Sequence, residues 1–514
     1  MKKEGLLYGA IVLLVSNFLI KFLGFFYRVV LVRIIGTEGI GLVEMVLPIY
    51  TFVLVIATWG IPLAMSKLIA EETARENYGN IHKTFTLTLF LLTTSGTICT
   101  LAVYWLSPYI FAYFTADRRI FLCFMTMIPA IFIIAICSAF RAYYQGMKQV
   151  SVIGVSQTIE QTVRVIVGIT LAIKLKKYGL EIAVTAVALA TVLGELSGLI
   201  YMIGRYYAKP RIQKSTPNKG SWFLFKSLLG FGTPVTLTRL LSSFLLTMQA
   251  SLIPKGLMLA GNDLRTATEL YGRFSGVALT LLHLPGTLTM SVAVSIIPAV
   301  AELMSKKNHQ LLTHRVSEAL QITTVFSLPG MLVLFFYPQE LCSLIFHSPE
   351  AGAPLKILAF GGVFLYLQQI LTSILQGMGC VKTLLLNMVC SGFFLIGGIL
   401  LLTPLPLLGI NGAAIALSVS FFVGSMLNFY YLIKNARLSL PYANILLKPF
   451  AAFFVSLIVM YFTDHWLRYK MLEEIPIILI SVSLALIIYF LFLFFYGGLP
   501  QSTLKRFPIL KYWF

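Results

Sequence analysis

A succession of apolar segments, each near the roughly 20 residues a helix needs to cross a bilayer, constrains this chain more than any other feature. Fourteen can be marked, from 6–34 and 41–66 at the start to 443–463 and 475–497 at the end. In hydrocarbon every backbone N–H and C=O must find its partner within the segment, so such segments become helices. Composition agrees: of 514 residues 58% are hydrophobic and 11% charged, where a soluble domain carries about 25% charged residues. The expectation is an all-α polytopic membrane protein with fourteen transmembrane helices.

An even number of spans puts both termini on one side. Loops on that side, among them those holding Lys2, Lys3, Arg75, Lys83, Arg141, Lys148, Lys505 and Arg506, carry about twice the Lys and Arg of the other loops, so the positive-inside rule makes both termini cytoplasmic. The net charge of +20 therefore reads as topology, and no nucleic-acid partner is expected. All three aspartates (Asp117, Asp263, Asp464) fall in expected outer loops. The six cysteines lie in apolar segments without CxxC spacing and read as small core residues. Neither a metal nor a cofactor is expected. The N-terminal apolar run is too long for a cleaved signal peptide.

The chain repeats itself. Tyr144-Gln145-Gly146-Met147 recurs as Leu375-Gln376-Gly377-Met378, and Ala70-Glu71 as Ala301-Glu302, each 231 residues later. Gly194–Ile203 matches Gly424–Ile433 at an offset of 230. A shared offset marks an internal duplication. Six spans per copy is an even number, so the copies insert in the same orientation, as parallel transporter repeats do. The expected organisation is an N-terminal six-helix lobe (1–205), a basic cytoplasmic linker with Pro210 and Pro217 (206–222), and a C-terminal six-helix lobe (223–434). Spans 13 and 14 and a cytoplasmic tail (435–514) follow.

Polar residues inside the spans carry the functional argument. Asn17, Lys21, Gly24 and Arg28 fall at i, i+4, i+7 and i+11, on one helical face. A cation at mid-bilayer costs about 2.5–3.5 kcal/mol, so Lys21 and Arg28 should face protein or a water-filled cavity. Thr236, Arg239, Ser243 and Thr247 make a similar stripe on span 7. Span 5 presents Gln157, Glu160, Gln161 and Arg164. Glu160–Arg164 and Glu269–Arg273 are spaced i, i+4 and can pair within a helix. The first of these reads equally well as a structural ion pair. Glu195, in span 6, has no evident partner in the sequence and is open between helix packing and proton coupling. Arginine favours planar, bidentate contact with phosphate, so a lipid-linked pyrophosphate suits this set and a cationic drug does not. The substrate-binding candidates are Asn17, Lys21, Arg28, Gln161, Arg164, Arg239 and Arg273; the coupling candidates are Glu160 and Glu195. No catalytic constellation and no phosphate-cradling GxxxxGK[ST] loop occurs, so a secondary transporter is expected, not an enzyme.

The stretches Lys21–Leu42 (KFLGFFYRVVLVRIIGTEGIGL), Gly60–Glu71 (GIPLAMSKLIAE), Phe140–Met147 (FRAYYQGM) and Ser156–Val165 (SQTIEQTVRV) resemble the stage V sporulation protein B group. That group belongs to the polysaccharide-transporter branch of the multidrug/oligosaccharidyl-lipid/polysaccharide exporter superfamily. The resemblance implies two six-helix lobes around a central cavity, working by alternating access in a bacterial cytoplasmic membrane. It implies as load an undecaprenyl-pyrophosphate-linked saccharide, foremost a peptidoglycan precursor such as lipid II, for instance for spore cortex. Lys21, Arg28 and Arg239 would then contact the pyrophosphate, and spans 13 and 14 would form a polyprenyl groove. Lys21 stands where an arginine is usual in the lipid II flippase, and span 2 has no arginine. A monomer is expected, with the bilayer and cell-wall synthesis enzymes as partners. A cation-coupled multidrug exporter, a flippase for another lipid-linked polysaccharide precursor and a non-transporting scaffold stay open as alternatives.

Overall fold

The computed structural model describes residues 6–114, 117–208, 220–436, 440–470 and 473–499. Every regular element among them is helical. The first 53-residue run, α1 (Leu6–Thr58), is broken at Gly36, whose φ of 72° and ψ of 175° are accessible to glycine at no steric cost. The run ends at Trp59 and Gly60, both at positive φ, and α2 (Ile61–Ala74) restarts with Pro62 in its first turn, where a missing N–H costs nothing. The expected span 41–66 is therefore divided at Gly60. There follow α3 (Tyr78–Phe114), α4 (Phe121–Gly146), α5 (Val150–Leu175), α6 (Leu180–Tyr207), α7 (Ser221–Leu259) and α8 (Leu264–Gly272). A π-helical turn leads on to α9 (Leu279–His283), α10 (Gly286–Ser305), α11 (His309–Phe336) and α12 (Pro338–Phe346). The chain continues with α13 (Gly352–Gly377), α14 (Val381–Leu402), α15 (Ile410–Ala436), α16 (Lys448–Tyr469) and α17 (Glu474–Phe495).

Eleven of these helices are long and apolar enough to cross a membrane, or twelve if α7, bent by 45° between Thr233 and Thr236, counts as one span. The expected count was fourteen. The first expected span and most of the second fall in the single run α1, on either side of Gly36. The fifth, α5, is 26 residues long, but Gln157, Glu160, Gln161 and Arg164 dilute its hydropathy.

The 231-residue offset recurs in the elements. The pair α4 and α13 share it at both ends, Phe121/Gly352 and Gly146/Gly377. It separates the starts of α5 and α14 (Val150/Val381), the starts of α3 and α11 (Tyr78/His309), and the ends of α2 and α10 (Ala74/Ser305). It recurs in packing as well. A Cβ on Gly146 would lie 2.6 Å from Ile69 Cβ and 2.8 Å from Ser66 O; one on Gly377 would lie 2.9 Å from Val300 Cβ and 2.7 Å from Ile297 O. Those neighbours are themselves 231 residues apart.

The chain divides into two compact units, Met1–Gly276 and Val277–Phe514. The division falls after α8, whereas a lobe boundary was expected at 206–222, of which 209–219 lie outside the described residues. The reason is that α7 and α8 pack along α1. Gly41 and Gly272 let α1 and α8 meet backbone to backbone, as small residues do in membrane helices. A Cβ on Gly41 would sit 2.2 Å from Thr268 O, and one on Gly272 1.8 Å from Thr37 O. The first unit's core includes Ile61, Met65, Ile69, Phe85, Phe140 and Tyr144, with Leu228 from α7. In the second unit α16 and α17 pack together and against α11, around Leu332, Tyr337, Met460, Ile478 and Ala485. Asp464, expected in a loop, lies in the last turns of α16, where it accepts hydrogen bonds from Tyr337 Oη at 2.8 Å and Arg468 Nε at 2.9 Å. The expected tail beyond residue 499 lies outside the described residues.

Candidate functional site

All the residues singled out from the sequence belong to the first unit. On α1 the stripe borders α5: a Cβ on Gly24 would be 3.5 Å from Gln161 Nε2, and one on Gly168 only 2.0 Å from Tyr27 Oη. Asn17 and Lys21 are exposed on this face, Arg28 is partly buried, and Arg239 on α7 is exposed. Among the described residues neither Lys21 nor Arg239 has an ion-pair partner.

Arg28 does. The bend at Gly36 brings Glu44, sixteen residues on, to its guanidinium. Glu44 Oε2 also accepts a hydrogen bond from Ser275 Oγ at 2.9 Å, and so joins α1 to the π-helical turn after α8. Near this point Arg273 pairs with Glu269 at 2.9 Å, and Thr37 Oγ1 donates to the same carboxylate at 3.2 Å. Glu38 holds Arg119 at 2.6 Å and Arg265 at 3.0 Å. Asp117, fully buried, takes Arg119 at 2.6 Å and the Thr268 hydroxyl at 3.1 Å. Thr37, Glu38 and Gly41 stand 231 residues before Thr268, Glu269 and Gly272, so the two copies of the repeat touch here through corresponding residues.

A second cluster ties three helices. From α5, Glu160 Oε1 accepts from Arg164 Nη2 at 2.7 Å, the i, i+4 pair expected from spacing. Glu195, on α6, was expected without a partner. It has two: Arg164 Nη2 at 3.0 Å and Arg141 Nη2 at 3.4 Å. Arg141, on α4, completes the ring through Glu160 Oε2 at 2.6 Å. Two carboxylates thus share two guanidiniums and the formal charge sums to zero. Gln161 Oε1 adds a bond from Arg164 at 3.2 Å.

Sequence reasoning missed two of these groups. Arg141 was counted with the loop cations, yet it sits inside α4, five residues before its end. Glu44 was passed over, although an acidic residue within an apolar span is itself a signal of function. The remaining candidates are not drawn into one constellation. Gln161, Arg164, Glu160 and Glu195 come together; Arg28 and Arg273 each hold a separate carboxylate; Asn17, Lys21 and Arg239 stay unpaired.

Residues 6–304 match the family model described as "Polysaccharide biosynthesis protein", more than half of the chain. The chain belongs to that family. Residues 275–403 also match the MatE model. Stage V sporulation protein B of Bacillus subtilis (strain 168) is 29% identical over 467 residues, covering 89% of this chain and 88% of that protein. Lipid II flippase MurJ of the same organism is 24% identical over 461 residues, covering 84% and 82%. In fold, the chain matches the solved structure "Lipid II flippase MurJ, inward closed conformation" with a TM-score of 0.73 at 16% identity, over 95% of this chain and 99% of that one. The protein is a multi-pass membrane protein that shares the fold of that flippase.

Proposed function

We propose that this protein flips an undecaprenyl-pyrophosphate-linked saccharide across the cytoplasmic membrane by alternating access, with a peptidoglycan precursor such as lipid II as its load. The observation that carries the reading is the pair of exposed, unpaired cations Lys21 and Arg239 together with Arg28, which is held only by a carboxylate that a phosphate can replace. Lys21, Arg28 and Arg239 contact the pyrophosphate. Asn17 and Gln161 donate hydrogen bonds beside them, and Arg164 and Arg273 offer further N–H donors from guanidiniums held in ion pairs. The apolar face of α17 around Leu479, Ile480, Leu484 and Ile487 offers a shallow groove for polyprenyl. The two six-helix lobes of the repeat, fourteen spans, cytoplasmic termini, a monomeric state and contact with cell-wall synthesis enzymes complete the proposal.

The test is binding of lipid II and of undecaprenyl phosphate to the purified wild type, Lys21→Ala, Arg28→Ala and Arg239→Ala, with flipping of labelled lipid in proteoliposomes. A charged hydrogen bond contributes about 1.5–3 kcal/mol, so each loss weakens lipid II binding by about tenfold or more and weakens undecaprenyl phosphate less. Unchanged binding and flipping in all three variants would overturn the assignment. The MatE match over 275–403 favours a second reading, a cation-coupled multidrug exporter. Drug resistance on overexpression, retained in Arg28→Ala, would support it.

A further inference from the structure

Four charges inside three apolar helices need a reason. Helix packing does not supply it, because the second copy of the repeat packs the same three helices without them. By the 231 offset that relates α4 to α13 and α5 to α14, Arg141, Glu160 and Arg164 correspond to Thr372, Ser391 and Leu395. By the 230 offset that aligns Gly194 with Gly424, Glu195 corresponds to Ser425. The charges are therefore an addition to a frame that closes with neutral residues.

The ring has unused valence as well. Nε of Arg141, Nε of Arg164 and the hydroxyl of Tyr50 are buried without a hydrogen-bond partner. Tyr50, on α1, is 6% exposed and lies in the field of all four charged groups. The groups that face the ring are thus Tyr50 from α1, Cys137 and Arg141 from α4, Glu160 and Arg164 from α5, and Glu195 from α6. The two arginine side chains remain 25% and 21% exposed, so the ring is within reach of water. Tyr27 lies in the field of both Arg164 and Arg28, which puts the ring beside the α1 stripe.

We propose that the Arg141–Glu160–Arg164–Glu195 ring is a proton-binding site that controls whether Arg164 is free to hold the substrate's anion. The step balances simply. A proton from water bonds to one carboxylate oxygen of Glu160 or Glu195, and that oxygen stops being an ionic acceptor. The ring passes from neutral to a net charge of plus one, and an arm of Arg164 is released toward Tyr27 and Arg28. Anion binding then strengthens as pH falls, with one proton taken up by the ring as the anion binds. This rests on the flippase reading for its substrate.

Binding of undecaprenyl pyrophosphate to the full-length protein in detergent tests it across neutral pH. One linked proton makes wild-type affinity rise by up to about tenfold per unit of falling pH. Glu195→Gln and Glu160→Gln, which imitate the protonated acid, should lose that slope and bind at alkaline pH as tightly as the wild type does in acid. Glu195→Asp, which keeps the acid, should retain it. A flat wild-type profile with binding intact, or glutamine variants with the wild-type slope, overturns the proposal. Absence of any binding by the wild type would instead sink the substrate reading, and infrared titration of the ligand-free protein then decides the ring by itself. A carboxylic acid band that titrates across neutral pH and disappears in either glutamine variant supports the proton site; its absence from the wild type, or its persistence in both variants, overturns it.

Discussion

The three helices α4, α5 and α6 and their later copies α13, α14 and α15 share a register but not a chemistry. In the first set, α4, α5 and α6 are tied by two arginines and two glutamates. In the second, Thr372 accepts from Asn428 Nδ2 at 3.2 Å, Asn428 Oδ1 accepts from Asn387 at 2.9 Å, and Ser420 donates to Ser391 O at 2.9 Å. A glycine closes on a neighbouring helix in the same way in both, at Gly146 and at Gly377. Neutral hydrogen bonds each contribute about 1 kcal/mol, and a buried neutral group that loses its partner costs about 1–3 kcal/mol. A buried ion pair barely repays its desolvation, yet removing one member strands the other charge at a cost of several kcal/mol. The difference teaches that the first set carries a chemical liability which its packing does not require.

That contrast can be broken experimentally, and the variants rank by expected effect. Arg141→Ala leaves two carboxylates sharing the one guanidinium of Arg164, with one negative charge uncompensated, and should lower stability by about 3–5 kcal/mol, read as a loss of thermal midpoint in detergent and of abundance in the membrane. Its counterpart Thr372→Ala, losing one neutral bond, should cost about 1 kcal/mol. Equal losses would mean the ring is not charge-coupled. Gly146→Ala and Gly377→Ala each overpack a helix contact and should cost about 1–3 kcal/mol. The two values should agree, and a large gap between them would show that the copies do not pack alike. Asn428→Ala releases Asn387 and Thr372 together, for about 1–2 kcal/mol by unfolding midpoint. The smallest change in stability is expected from the largest substitution: the first copy rewritten with the second copy's residues, Arg141→Thr, Glu160→Ser, Arg164→Leu and Glu195→Ser together. Replacing buried ion pairs by fitting neutral groups is often neutral or stabilising. This variant should therefore fold to near wild-type abundance and fail in lipid flipping. Unfolding on substitution would return the ring to a purely structural role.

Much of the architecture was legible in the chain. Hydropathy marks the membrane helices, and Gln145-Gly146-Met147 against Gln376-Gly377-Met378 marks a duplication whose offset reappears at helix ends and in the glycine contacts. The Glu160–Arg164 pair was legible because i, i+4 neighbours share a helical face whatever the fold. The rest of the ring was not. Arg141, Glu160 and Glu195 lie on three helices, and no local rule links them. Arg28 and Glu44 meet only because Gly36 bends α1 between them. The register of the second copy was lost near Arg239 because its loop before α8 is longer, so the matching of Thr37 and Gly41 to Thr268 and Gly272 emerged only as they came into contact.

Apolar runs of spanning length and one internal repeat sufficed to determine that this chain is an all-helical membrane protein built twice over from one plan, because a continuous apolar run of about 20 residues satisfies its own backbone in hydrocarbon as a helix. They also located cations where lipid would not accept them. Which of those cations are already neutralised, and which stand open to an anion, was decided by tertiary structure alone. Neutralisation depends on carboxylates tens of residues away, carried to within about 3 Å by helix packing and by a bend at a single glycine, and Coulomb energy depends on that distance and on the local dielectric, not on separation along the chain.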